Sequence, residues 1–511
     1  MRNTLAVLVA AATLVVGGCT SLPARPELPM DTVEAAAVDT RLDQLVGAAE
    51  RERPGQSAFK LVSEGPEAFA LRVRAAQLAE RSLDVQTYIW HADLTGRYLA
   101  GMVLAAADRG VRVRVLVDDL DARAKNDGFA ALHAHPGIDV RVFNPFVSRK
   151  GFVFQAGEFL TGFGRLNHRM HNKSWIADNR FAIAGGRNLG DEYFGASEDV
   201  NFADLDFAMI GPVVREASAS FDRYWNSAAT YPMDVLDAPA VNTADLDRLR
   251  SGLAAERERT ESSHYATELR NDDALKRLLS RNLPMEWSDE YRFVADDPLK
   301  ALKKGEGANS NVVAALSPVL VDSSRSITLI SPYFVPGRRG AQGLVDAVAA
   351  GKAVRILTNS LAANDVAAVH GGYSRYRKTL ARGGVQLWEL KPITGEQAKS
   401  SFRGSKGASL HSKALTVDGH IAFVGSYNLD PRSTTLNTEQ GVLVSSEALA
   451  AQLEALFERQ TAPAGAWRVT ADGRGLSWSD DESRFRRDPI AGIGRRFQAW
   501  FARFFRLDAQ L

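Results

Sequence analysis

The sequence predicts an α/β protein built as two α/β/α sandwich halves related by a pseudo-twofold, with one active site shared between them. Three observations carry this. A spaced polar pattern, H-x-K-x4-D-x6-G-(G/S)-x-N, occurs twice, from His171 to Asn188 and from His411 to Asn428. Upstream of each copy, a β-branched strand, an amphipathic helix ending near Gly110 or Gly351, and a second apolar strand form a βαβ unit (82–119 and 326–360). Such units imply parallel pairing with a right-handed crossover. Downstream of each copy comes a further strand and helix, 202–225 and 436–459. A turn has no reason to repeat its polar spacing, whereas a duplicated structural unit does.

The elements divide the chain as follows. Residues 1–18 read as a lipoprotein signal peptide: Arg2, an apolar run from Leu5 to Val16, then Gly17-Gly18 before Cys19. Cys19, the only cysteine, stands where a diacylglyceryl group would be attached. Residues 19–58, rich in Pro, Ala and charge, read as a tether. The first half covers 59–232 (motif 166–192) and the second 311–465 (motif 405–432). Between them, 233–310 reads as a helical connector, with charged helical stretches such as "ADLDRLRSGLAAERER". Residues 466–511 are a tail ending in an amphipathic helix over 490–506. There Ile493, Phe497, Trp500, Phe501, Phe504 and Phe505 share one face, and Arg495, Arg496, Arg503 and Arg506 take the rest. That pattern suits an interfacial helix, aromatics down and Arg at the headgroups; docking on the body is the alternative.

Composition narrows the chemistry. Net charge is +1, so no overall field points to nucleic acid. One cysteine permits neither an internal disulfide nor a cysteine zinc site. No run after the leader is long and apolar enough to span a membrane. The sequence lacks the acidic cluster that a two-metal phosphodiesterase needs, so no metal and no cofactor are expected.

In "HNKSW" and "HSKAL" the two-residue period of a strand puts His and Lys on one face. If the halves pack about the pseudo-twofold, His171, Lys173, His411 and Lys413 converge. Two lysines can grip the non-bridging oxygens of a phosphodiester. One histidine can attack phosphorus to form a covalent phosphohistidine, while the other protonates the leaving oxygen and later deprotonates the incoming one. Asn188, Asn428 and the Gly-Gly and Gly-Ser turns add neutral donors and close backbone approach. Asp204 and Glu439, each in the strand after a motif, are candidates to orient a histidine through its other nitrogen. Asp178 and Asp418 fall outside strict alternation with the His–Lys pair and are expected to hold a turn. Asn359, Asn364 and Asp365, at the end of a parallel strand, are second-tier candidates. His91 and His370 lack the motif context and are weaker ones.

These residues are the signature of the phospholipase D superfamily, which the chain resembles over about residues 60–460. Stretches such as "FNPF", "RLNHRMHNKSW" and "GSYNLDPRSTTLNTE" are similar to bacterial cardiolipin synthases of the C type. The resemblance implies phosphatidyl transfer onto the glycerol hydroxyl of phosphatidylglycerol. The donor is a second phospholipid, either phosphatidylglycerol or phosphatidylethanolamine. It makes His171, Lys173, Asp178, His411, Lys413 and Asp418 the motif residues, Asn188 and Asn428 phosphate-side groups, and Asp204 and Glu439 the histidine partners. By the same analogy His171 is the nucleophile and His411 the acid/base. Expected partners are phospholipids and a membrane surface. Thr20 rather than Asp follows Cys19; by resemblance to enteric lipoprotein sorting, that points to the periplasmic side of the outer membrane. Three readings compete: a hydrolytic phospholipase D, a superfamily nuclease, which the neutral charge disfavours, and a non-enzymatic lipid-binding lipoprotein.

Overall fold

Each half forms around one large mixed sheet. The computed structural model describes residues 22–33, 39–147, 164–236, 243–271, 283–302, 310–364, 366–392 and 407–504. The signal peptide and Cys19 lie outside the described residues. In the first sheet a parallel trio, Ser82–Thr87, Arg112–Asp118 and Ile138–Phe143, is extended antiparallel by Ser174–Ala177, Phe181–Gly185, Asp206–Ile210 and Ser57–Val62. The second sheet repeats this order. Its parallel trio is Ser326–Ile330, Ala353–Asn359 and Gln386–Leu390; Ala414–Val417, Ile421–Gly425, Gln440–Ser445 and Tyr291–Ala295 follow on the antiparallel side. Helices Gly65–Leu78, Leu94–Asp108 and Pro212–Trp225 have counterparts in Asn311–Val321, Gly337–Ala349 and Glu447–Thr461. Equal strand order with equal helix placement is what the doubled motif predicts.

One apolar cluster joins the halves. Phe59, Phe207 and Phe221 of the first pack with Val424, Val442 and Phe457 of the second. Burying such surfaces against each other, at roughly 25 cal/mol per Å2 of apolar area, is what drives the sheets together.

Three segments depart from the sequence reading. Part of the tether is ordered structure. Helix Arg41–Glu52 starts on a Thr40/Asp43 capping box and buries Leu42 and Val46. Before it, Asp31 accepts from Trp225 Nε1 at 2.8 Å. The connector contains helices Thr243–Ser262 and His264–Asn271, but it also gives one strand to each sheet. Glu286–Ser288 pairs with Ser57–Val62, and Tyr291–Ala295 with Gln440–Ser445. The tail begins as strands: Ala466–Asp472, Gly475–Ser479 and Arg484–Phe485 extend the second sheet beyond Gln386–Leu390. Trp467 and Val469 are buried with exposed Arg468 between them and exposed Thr470 after, the ordinary alternation of a half-buried strand.

The C-terminal helix is Ile493–Phe504. It docks by its small face. Ala499 and Ala502 are buried, and a Cβ on Gly371, in helix Ala367–Tyr373, would lie 2.3 Å from the Ala499 carbonyl. The aromatic face points outward, with Ile493 89% and Phe497 60% exposed. Phe505 and Arg506 lie outside the described residues. Among those described, no helix is long and apolar enough to cross a membrane.

Candidate active site

His171 and His411 sit at the start of matching strands, where the halves meet. Each is clasped by the other half. The His171 amide donates to the Thr438 carbonyl at 2.9 Å, and the His411 amide to the Ala203 carbonyl at 2.8 Å. The next residue in each partner is the carboxylate. Glu439 Oε2 lies 2.9 Å from His171 Nδ1, and Asp204 Oδ2 lies 2.5 Å from His411 Nδ1. So each acid orients the histidine of the opposite motif. His171 Nδ1 also faces the Ser426 carbonyl at 3.1 Å. Two acceptors around Nδ1 require a proton there, which leaves the Nε2 lone pair free.

His171, Lys173, Asp204, His411, Lys413 and Glu439 are all buried. Burial, with Lys173 and Lys413 nearby, pushes His171 down to about 4 despite the pull of Glu439. His411 is lowered by burial and Lys413 against the pull of Asp204. Both imidazoles are therefore neutral at neutral pH. Burial raises the two carboxylates, but their histidines and the lysines outweigh it and leave both below the ordinary range. Lys173 is held well below its ordinary value, first by burial. Its Nζ donates to the His171 carbonyl at 2.6 Å, and Lys413 Nζ makes the matching bond to the His411 carbonyl. An arriving anion would favour the ammonium form of Lys173.

The other sequence candidates take varied places. Asn188 accepts from the Ile89 amide and donates to the Tyr193 hydroxyl. Asn428 is buried, and its Oδ1 has no partner among the described residues. Asp178 and Asp418 stand at the far end of their strands, five residues from the lysines and roughly 16 Å away at about 3.3 Å per residue. They occupy left-handed turn positions, φ 53° and 56°. Asp178 accepts from the amides of Glu80, Arg81 and Ser82, and Asp418 from those of Ser324, Arg325 and Ser326. They tie each motif hairpin to the strand beside it. Asn359 brackets both backbone groups of Leu410, the residue before His411. Asn364 caps the Val366 amide, and Asp365 lies outside the described residues. His91 pairs with Glu192 at 3.0 Å beside Asp93, and His370 is buried against Asp488.

Sequence reasoning missed the aromatic walls and the seryl support. Tyr88 meets His171 edge-on at 5.0 Å. Phe202 stacks on His411 at 5.2 Å, and Tyr193 meets it edge-on at 5.4 Å. Ser426 Oγ donates to Glu439 Oε2 at 2.5 Å. The serine alternative in G-(G/S)-x-N was a visible signal for this last contact; the aromatics had none. Tyr193 lies in helix Asp191–Phe194, the counterpart of Pro431–Thr435. The extra residues of the first half therefore follow that helix. They lie between that helix and Asp204, where Val200–Ala203 pairs in parallel with Gly407–Leu410 across the halves.

A family model described as "Cardiolipin synthase, PLD-like domain" matches residues 73–225 and 317–461, one copy on each half. The chain belongs to the phospholipase D superfamily. Among its relatives in that superfamily, cardiolipin synthase C of Escherichia coli K12 is 41% identical over 87% of this chain and 94% of its own. Cardiolipin synthase A of Pseudomonas entomophila is 25% identical over 78% and 67%. A crystal structure of phosphatidylserine synthase from Haemophilus influenzae shares the fold. Its TM-score is 0.57 at 14% identity, covering 91% of this chain and all of that one.

Proposed function

We propose that this protein is a phosphatidyltransferase that forms cardiolipin. It would move a phosphatidyl group from one phospholipid to the glycerol hydroxyl of phosphatidylglycerol. The observation that carries the reading is the pair of neutral histidines, each with its Nδ1 proton held by a buried carboxylate of the opposite half. The superfamily placement and the cardiolipin synthase relatives support the substrate class.

In the first step His171 Nε2 attacks phosphorus, and the bond from phosphorus to the departing headgroup oxygen breaks. Glu439 stabilises the positive imidazole of the adduct. The departing oxygen takes a proton from His411 Nε2. The negative phosphodiester, held between Lys173 and Lys413, offsets the burial that otherwise keeps His411 unprotonated. In the second step neutral His411 takes the proton of the incoming hydroxyl. Its oxygen bonds to phosphorus and the bond to His171 breaks. Asn428 Oδ1, buried and unpartnered, is placed to accept from a substrate hydroxyl. Water in place of the glycerol hydroxyl would give hydrolysis to phosphatidic acid.

The membrane side of the reading rests on the C-terminal helix. Arg495 donates to the carbonyls of Leu361 and Asn364, in the loop that starts at Asn359. Asn359 in turn holds Leu410 beside His411. The outward aromatics thus stand at the catalytic end of the second sheet, and insertion into the headgroup layer would bring the site to the scissile bond. A lipid on Cys19 would supply the second anchoring signal that stable attachment needs.

Mass spectrometry of lipids from a cardiolipin-null host expressing the chain tests the reading. Cardiolipin is expected with the wild type and absent with His171→Ala. Phosphatidic acid without cardiolipin would instead favour hydrolysis.

A further inference from the structure

The second half carries an open apolar groove beside a helix whose first-half counterpart is more deeply buried. In the first half, helix Leu94–Asp108 buries eight residues, among them Leu99, Met102 and Val103. Its counterpart Gly337–Ala349 buries only Ala341. Between that helix and Asn311–Val321 lies a groove of about 680 Å3, well inside the roughly 300–1,000 Å3 of small-molecule sites. Its lining is mainly apolar, with Leu316, Leu320 and Leu344 on the walls and Leu329, Leu415 and Phe423 on the sheet floor. At one end it reaches Ser331, Ala414, Tyr427 and Leu429. Ala414 follows Lys413 in the chain, and Tyr427 precedes Asn428, so the groove runs away from the catalytic end of the sheet. Arg339, exposed in the first turn of Gly337–Ala349, stands on its rim. Gly343 keeps the wall low, and a Cβ added there meets nothing within 4 Å.

We infer that this groove holds one acyl chain of a phospholipid whose phosphate lies between Lys173 and Lys413. The inference rests on the phospholipid reading above. A hydrocarbon chain is the occupant because the groove is apolar, includes residues next in the chain to Lys413 and Asn428, and carries a cation, Arg339, on its rim. The chain would cover the apolar floor that the helix leaves open. Each methylene that it buries should strengthen binding about fourfold, from the transfer free energy of a CH2 group. The site therefore selects for chain length.

The test uses the full-length protein and Gly343→Trp, which adds bulk to the groove wall where a Cβ meets nothing within 4 Å. Transfer is measured on dihexanoyl and dioleoyl phosphatidylglycerol in mixed micelles. Binding of a phosphatidylglycerol with a fluorescent acyl chain is measured separately, by anisotropy, on His411→Ala protein with and without Gly343→Trp. Expected is at least a tenfold loss of kcat/KM on the long-chain lipid, an unchanged rate on the short one, and loss of probe binding. An unchanged long-to-short ratio with undiminished probe binding overturns the groove assignment. Loss of self-association in Gly343→Trp with probe binding intact also overturns it, in favour of a second copy as occupant. Groove-dependent probe binding without turnover of any phospholipid by the unsubstituted protein would retain the groove and refute the transferase.

Discussion

The two half-sites have the same plan but are supported differently. Around His171 the orienting acid is Glu439, held by the Ser426 hydroxyl, with only the edge of Tyr88 as an aromatic wall. Around His411 the acid is the shorter Asp204, and the position matching Ser426 is Gly186. There a Cβ would fall 2.1 Å from the carboxylate. Phe202 and Tyr193 enclose that ring from two directions. The difference suits a division of labour. The two rings are about equally exposed, 7% and 8%, so the asymmetry is one of support: two aromatic rings can hold His411 to a fixed line of proton transfer, while the strongly lowered His171 meets one.

Removing either imidazole should have the largest effect. His171→Ala and His411→Ala are each expected to fall below about a hundredth of the wild-type rate, the scale of a lost nucleophile or general acid. A phosphodiester with a p-nitrophenol leaving group separates them, since that group departs without a proton. His411→Ala should then regain a burst of p-nitrophenol and trap phosphohistidine on His171, while His171→Ala should show neither. The opposite pattern would exchange the roles.

The carboxylates come next. Glu439→Gln and Asp204→Asn should each lose roughly 10- to 100-fold, below the full worth of general acid–base catalysis. Only Asp204→Asn should be rescued by the p-nitrophenyl substrate, because on the proposed roles its carboxylate serves the leaving-group histidine. Rescue of Glu439→Gln instead would mean that the crossed pairing does not govern the chemistry.

Matched substitutions at Gly186 and Ser426 probe the supports. Gly186→Ala must push Asp204 aside and should cost at least about tenfold, as for a displaced acid–base group. Ser426→Ala removes one hydrogen bond to a carboxylate, which is worth about 1.5–3 kcal/mol of stability. It should lower the melting temperature while slowing turnover only a few-fold. Equal kinetic losses would erase the asymmetry argued above.

The smallest expected effect is on stability against pH. His171 is lowered from an ordinary 6.5 to about 4 in the folded protein. Between those values the unfolded chain binds a proton that the folded one refuses. Stability therefore rises with pH through this window and is lost as pH falls, by up to about 1.4 kcal/mol per unit. His171→Gln should flatten that part of a melting-temperature profile. An unchanged slope would place the titration elsewhere.

Much of this was legible in the sequence for a specific reason. The motif, its 240-residue repeat and the flanking βαβ patterns are all local spacings, and spacing survives folding unchanged. The convergence of His171, Lys173, His411 and Lys413 followed from duplication alone. The crossing did not, because Asp204 and Glu439 each follow their own motif by about thirty residues and nothing in that interval says which histidine they face. Helix Arg41–Glu52 was obscured by a segment composition that reads as a tether, though Thr40 and Asp43 spell its cap. Strand Glu286–Ser288 is three residues long, too short for alternation to show; it exists because the edge of the first sheet is there to pair with. The C-terminal helix takes the alternative expected of it, docking on the body through Ala499, Ala502 and the Arg495 hydrogen bonds, with its aromatic stripe exposed.

The crossed carboxylates have a consequence for how the molecule ages and how it is inherited. Neither half is a weak enzyme in its own right, since each holds only the imidazole of one site and the acid of the other. Heat that parts the halves while both sheets are still intact would disorient both histidines together. Activity should then disappear before the helical circular dichroism does. The same exchange binds the two copies of the motif to a common fate over generations: a lineage that lets one copy drift loses the use of both.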